Sequence, residues 1–497
     1  MTERPTIVLV PLDERPVNTG LVADVAAVGG HRLELPPAAA LPDYREPADT
    51  AALAAWLRER AADPGVGALV VSLDMLVHGG LIAARTTHDG TATVLRRLDV
   101  LREIKAARPG LPVLAVTLVT RASDHDSATE EPEYWATYGR RLHALGRDAH
   151  RAWEDGAGAP DADVPAEVRR DLARRRLRNH VVNLAAIDLR ADGVLDHLVV
   201  TADDTARFSA GSVEQAWLGY WGRLDPAMQV PIYPGADETG AVLVARALTT
   251  LAGVSPRVRS VTADPAGMER VPPYENAPLA ESVPRQLAAA GGTLVDDDAD
   301  LVLVVHTSDP DRGDQGGPEA PVDDPAAAAA TVALVAEHVA AGAMVAVADL
   351  RYANGSDPTL VEGLRAAGLL EEVVAYGGWN TAGNALGSTV ALGVAAVVAE
   401  RTGLPARELA RPAKVRRLLD DHAYQSVVRR RAWEPVFHGT HEPLPACEVA
   451  AAEAWVTREL RAELARLLPC DTLAVRQALL PWRRAFEVDI RFEEEPI

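Results

Sequence analysis

Short apolar runs recur along the chain, and each stops abruptly at carboxylates, glycines or amides. Leu198-Val199-Val200-Thr201-Ala202 runs into Asp203-Asp204. Val8-Leu9-Val10-Pro11-Leu12 runs into Asp13-Glu14-Arg15-Pro16-Val17-Asn18, and Leu69-Val70-Val71-Ser72-Leu73 into Asp74 with His78-Gly79-Gly80 close behind. Helix-like segments separate these runs. Near-continuous apolar strands alternating with helices predict parallel sheet covered on both faces. In such folds ligands gather at the carboxyl ends of the strands.

About ten strands are expected, at residues 6–12, 33–35, 67–73, 112–119, 198–202, 230–233, 258–263, 301–306, 344–348 and 372–376. They fit an α/β chain of two doubly wound, Rossmann-like domains. The alternative is a TIM-like barrel carrying an inserted αβ unit. The two-domain reading places an N-terminal α/β domain at 1–254, with an arginine-rich helical excursion over 124–190 suited to a lid or subunit contact. A second α/β domain spans 255–410 and a helical extension 411–497. Helices are expected at 50–62, 94–107, 239–252 and after the glycines at 377–378.

A chain of 497 residues with 48% hydrophobic and 24% charged residues suits a large globular core. The net charge of -21 disfavours nucleic acid and anionic membrane as partners, since both require basic surfaces. No stretch reads as a membrane span or signal segment, so a cytoplasmic location is expected. Two cysteines, Cys447 and Cys470, make neither a disulfide framework nor a thiolate zinc site. No dinucleotide, Walker or nucleophile-elbow motif is present, and no HExxH. The expected cofactor is none. A divalent metal held by Asp13, Asp74, Asp203 and Asp237 is compatible with oxygen-only coordination.

Asp203 and Asp204 are the expected catalytic pair. Two close carboxyls resist ionising together, which splits their pKa values into an acid and a base. Asp13, Arg15, Asn18, Asp74, His78, Tyr233, Asp237, Glu238, Asp349, Trp379, Asn380 and Asn384 are the expected substrate-binding residues. Arg15 could clamp a carboxylate or phosphate, or pair with Asp13 or Glu14. Asp237 and Glu238 could equally cap the helix that follows. Gly377-Gly378 could bring backbone N–H groups to an anion, Trp379 could stack on a sugar face, and Asn380 and Asn384 could bond hydroxyls. His306 ends another strand.

The phrases PLDERPVN (11–18), SLDMLVHGG (72–80), YPGADE (233–238), ADLRYANG (348–355) and YGGWNTAGN (376–384), with the Asp203-Asp204 pair, resemble a bacterial family known as a domain of unknown function. That resemblance covers residues 6 to about 490 and implies no activity. The Asp203-Asp204 strand end is also similar to that of O-GlcNAcase and bacterial hyaluronidase-type glycosidases. This second likeness implies a barrel in which Asp203 orients a substrate acetamide and Asp204 protonates the leaving oxygen. The expected function is therefore a carboxylate-dependent hydrolase of a polar, N-acetylated or otherwise sugar-containing substrate. A small molecule or glycan is the expected partner, and a homo-oligomer is compatible with it. The competing expectations are a divalent-metal hydrolase or isomerase, and a non-enzymatic sugar or acid binder.

Overall fold

A computed structural model describes residues 4–158, 162–317, 320–469 and 472–493. Cys470 lies outside them. The chain divides into two compact units. The first comprises residues up to 14, 31–247 and 274–277, and the second 15–30, 248–273 and 278 onward. One break between the units falls between Ala247 and Leu248. The segments 15–30 and 274–277, however, each belong to the other unit's half of the sequence.

The first unit holds six parallel strands: β1 (Thr6–Val10), β2 (Leu33–Glu34), β3 (Val66–Ser72), β4 (Val113–Val119), β5 (His197–Ala202) and β6 (Ile232–Pro234). Their order is β2-β1-β3-β4-β5-β6. All seven residues of β4 are buried, as befits a central strand with helices on both faces. Val8, Leu69, Val113 and Val200 share one apolar core with Leu53, Leu57, Leu101, Ile104, Val182 and Ile187 from helices Thr50–Ala62, Asp99–Ala107 and Ala166–Ala191. Asp49 caps the first of these by accepting from the N–H groups of Ala51 and Ala52. The expected excursion is two long helices, Trp135–Glu154 and Ala166–Ala191.

The second unit holds β7 (Arg257–Val261), β8 (Thr293–Leu294), β9 (Leu301–His306), β10 (Val345–Asp349) and β11 (Ala375–Gly377), in the order β11-β10-β9-β7-β8. Counting each unit's strands from its own first, the first sheet reads 2-1-3-4-5-6 and the second 2-1-3-4-5. This is the flavodoxin-type doubly wound order, which reverses direction beside the first strand. Neither sheet closes, so the two-sheet expectation holds and the barrel alternative does not. The sequence shows no internal repeat, so the shared order is visible only in the fold.

A hairpin of β12 (Val475–Leu479) and β13 (Asp489–Phe492) completes the second unit. Residues beyond 411 are no separate appendage. Leu418, Tyr424, Val456, Leu460 and Phe492 share one apolar core with Val304 and Val347. Helix Ala382–Arg401 is long and apolar enough to cross a membrane, which corrects the reading that no stretch is. It is buried throughout its apolar window and packs on β9, β10 and β11. Glycines make that approach close: a Cβ at Gly377 would lie 2.5 Å from Thr389 Oγ1. Leu418–Val428 forms a π-helix, a rare geometry over that length.

Candidate functional site

The expected residues divide between the two units. Asp13, Asp74, His78, Asp203, Asp204, Tyr233, Asp237 and Glu238 belong to the first. Arg15, Asn18, Asp349, Trp379, Asn380 and Asn384 belong to the second.

In the first unit, neighbouring strands β4 and β5 both end in charge. Arg85 Nη2 bonds Asp203 Oδ2 at 2.6 Å, and Arg121 Nη1 bonds Asp204 Oδ2 at 3.0 Å. Both arginines also reach Glu130 and Glu131, at 2.9 to 3.3 Å. Four carboxyls thus converge on two guanidiniums. Asp204 occupies the left-handed region, at φ 26, as a residue held in place by its surroundings does. Its side chain stays 35% exposed. Even so, the crowding protein strips hydration from its carboxyl. That loss and the adjoining Asp203 charge push it up to about 6, against the pull of Arg121.

The next strand end, that of β6, carries a second carboxyl. Ala202 pairs with Pro234, and the Gly235 N–H donates to the Ala202 carbonyl at 3.0 Å. Glu238 is fully buried. Its Oε2 accepts from the Ala236 N–H at 2.9 Å, while Oε1 has no hydrogen-bond partner. Burial is the main cause that pushes this carboxyl up to about 8, with Asp237 and Glu275 adding like charge. Glu238 is therefore a neutral acid at pH 7. Gly235 is fitted to it: φ is 150, and a Cβ there would lie 2.1 Å from Oε1. The buried Tyr233 hydroxyl has no hydrogen-bond partner, and burial holds its pKa well above the ordinary value.

Asp74 has a structural task. β3 ends at Ser72, so it no longer serves the last N–H groups of β4. Asp74 Oδ2 accepts the Leu118 N–H at 2.9 Å in its place. It stands in helix Leu73–His78 rather than at a strand tip. Burial raises its carboxyl to about 7. His78 is buried with neither ring nitrogen bonded, and burial, with the Arg178 and Arg97 charges, lowers its pKa well below 6.5, so it is neutral. Asp13 and Asp237 are also buried. Among the described residues no group of three or more His, Cys, Asp or Glu side chains could hold a metal ion.

The second unit gathers its own buried cluster at the ends of β9, β10 and β11. His306 Nε2 lies 3.0 Å from Asp357 Oδ2, and Nδ1 lies 2.8 Å from Thr331 Oγ1. Asp349 Oδ2 accepts the Asp357 N–H at 2.7 Å. The Tyr376 hydroxyl stands 2.8 Å from Asp349 Oδ2 and 2.7 Å from Ser356 Oγ. One phenolic proton cannot serve both, so the serine hydroxyl supplies the second bond. From the π-helix, Asp421 accepts the Gly378 N–H at 2.8 Å and pairs with Arg417 at 2.7 Å. Burial raises Asp349 to about 6 and Asp421 to about 7.

These contacts revise the reading of 377–384. The Gly378 N–H is taken by Asp421, so it does not cradle an anion. Gly378 is required by close approach: a Cβ there would meet Ser356 Oγ at 2.7 Å and Asp349 Cβ at 3.3 Å. Gly378→Ala should therefore cost about 1–3 kcal/mol of stability, read from the urea midpoint. Trp379 is only 4% exposed and packs on Phe486, with centroids 5.5 Å apart, so it offers no open face for a sugar. Asn380 holds φ 67, and its carbonyl accepts the Asn354 N–H at 2.8 Å. Asn384 is buried in the first turn of its helix. Arg15 pairs with Glu487 at 3.0 Å and stacks 4.8 Å from the Trp482 ring centroid. Asn18 is buried on the same short turn, Pro16–Asn18.

A family model described as "Protein of unknown function (DUF4127)" matches residues 7–491. The chain belongs to the DUF4127 family. No curated protein and no solved structure matches it. The site must therefore be read from its own chemistry. Sequence reasoning missed Arg85, Arg121, Glu130, Glu131, Asp357, Tyr376 and Asp421 as site residues. Arg121 was detectable, since it ends the predicted fourth strand as Asp203 ends the fifth. Glu130 and Glu131 lie in a loop that shows no strand-end pattern, and Asp421 lies within a helix whose π geometry has no sequence signature.

Proposed function

We propose that this DUF4127 protein is a hydrolase that cleaves a polar, sugar-containing substrate by carboxylate acid–base chemistry at the carboxyl end of the first sheet. The observation that supports it best is that adjoining strands end in two carboxyls of opposite readiness. Glu238 keeps its proton at neutral pH, and Asp204 is poised to hold or lose one. An acid and a base held in different states is what glycoside cleavage requires.

In this reading Glu238, fully buried behind the strand ends, is the store of the proton that the departing oxygen takes up. Asp204, partly exposed, acts as base or nucleophile on the opposite side. Asp203, fixed by Arg85, anchors a polar substituent such as an acetamide. A carboxylate beside the cleaved bond favours the positive charge that builds on a sugar ring during cleavage. The divalent-metal reading draws no comparable support, because Asp74 is engaged with the Leu118 N–H and the remaining acids do not form a chelating group among the described residues.

The experiment is a panel of chromogenic glycosides, N-acetylated and plain, incubated with the purified full chain with and without chelator. Turnover that survives chelation supports the proposal. Turnover abolished by chelator and restored by a divalent ion would move the assignment to the metal-dependent class.

A further inference from the structure

Helices Trp135–Glu154 and Ala210–Leu224 of the first unit pack together, with Gly146 letting Ala210 approach. Their outer faces carry a continuous apolar surface. Trp153, Trp217, Tyr220, Trp221 and Leu224 are 40–63% exposed. The rings touch in sequence: Trp153 to Trp217 at 6.4 Å between centroids, Trp217 to Tyr220 at 6.0 Å, and Tyr220 to Trp221 at 5.3 Å. A chain with 4% aromatic residues has no folding reason to strand three tryptophans in water. Patches of this kind mark interaction sites.

We infer that this face is a homodimer interface, with a second copy of the chain as its occupant. Three observations select that occupant. First, the rings are not coplanar: Trp153–Trp217 is tilted by 33°. Trp217–Tyr220 and Tyr220–Trp221 meet edge to face, at 67° and 76°. A sugar chain stacks best on coplanar rings, whereas a surface presenting both edges and faces can interdigitate with its own copy, as a two-fold interface demands. Second, the rim carries both signs of charge. Exposed Arg151, Arg207 and Arg223 stand near the rings with exposed Glu154 and Asp225. Two copies can therefore meet there with opposite charges in register, although the whole chain carries -21. Third, the exposed apolar area is on the order of 500 Å², given the 150–250 Å² that an aromatic side chain can bury. With its polar rim it approaches the roughly 800 Å² per partner of a standard interface.

The test is sedimentation velocity on the full chain across micromolar concentrations, alone and then as Trp217→Gln and Trp217→Gln/Trp221→Gln variants. A wild-type dimer is expected, weakened about 30-fold or more by the central tryptophan change and monomeric in the double variant. The substitutions lie on an exposed helical face, and far-UV circular dichroism checks that the helices persist. A wild type that stays monomeric throughout, or a dimer indifferent to both variants, would overturn the inference. So would a monomer that binds phosphatidylcholine vesicles through Trp217, which would assign the face to lipid.

Discussion

Asp204→Asn is expected to lower kcat/KM about a thousandfold on any glycoside the wild-type protein cleaves, which is the usual contribution of a positioned carboxyl to proton transfer. The amide keeps the shape and can still accept from Arg121, so the 3.0 Å contact survives in weakened form. Thermal stability should change little, because the side chain is partly exposed. Asp203→Asn should behave differently. It breaks a 2.6 Å ion pair to an arginine that is itself buried, leaving that charge under-compensated, and should lower stability and activity together. If Asp204→Asn kept wild-type turnover, Asp204 would hold no part in the chemistry.

The second large effect concerns Glu238. Glu238→Gln should lose the alkaline-limb acid and with it at least a hundredfold in kcat/KM, yet it should be the more stable protein at pH 8. The folded carboxyl titrates near 8 and the unfolded one near its ordinary 4.5. Folding therefore takes up a proton between those values, and the wild-type chain loses stability as pH rises from about 4.5 to about 8. Glutamine takes up none. The stability gap in favour of the variant should widen by about 1.4 kcal/mol per pH unit across that window and be smallest at pH 4.5. Paired urea titrations at pH 5 and pH 8 measure it. A gap that does not grow with pH would mean that Glu238 is ionised in the native state.

Much of the fold was legible because strand and helix periods are strong where strands are buried on both faces. Leu301–His306, Thr50–Ala62 and Thr239–Ala252 fall where the pattern puts them. The short edge strand Thr293–Leu294 and the hairpin strand Val475–Leu479 did not show. Two exposed residues carry no period, and Val-Arg-Gln-Ala-Leu alternates too weakly. The strand-end acids were found, but their tasks were not. Asp74 reads like Asp204 in sequence, and only the unserved Leu118 N–H separates a structural carboxyl from a chemical one. Likewise Gly377-Gly378 reads as an anion loop until Thr389, Ser356 and Asp349 are seen crowding it. The arginines that organise the carboxyls come from 85 and 121, one in an apolar helix and one at a strand tip, and local pattern cannot join them.

The central claim is that one carboxyl of the first sheet stays protonated at neutral pH while its strand neighbour does not. A carbon-13 titration of glutamate side-chain carboxyls, run on wild type and on Glu238→Gln, addresses it without any substrate. The account predicts one resonance titrating near pH 8 that vanishes in the variant. Every glutamate titrating below pH 6 in the folded wild-type protein would contradict it.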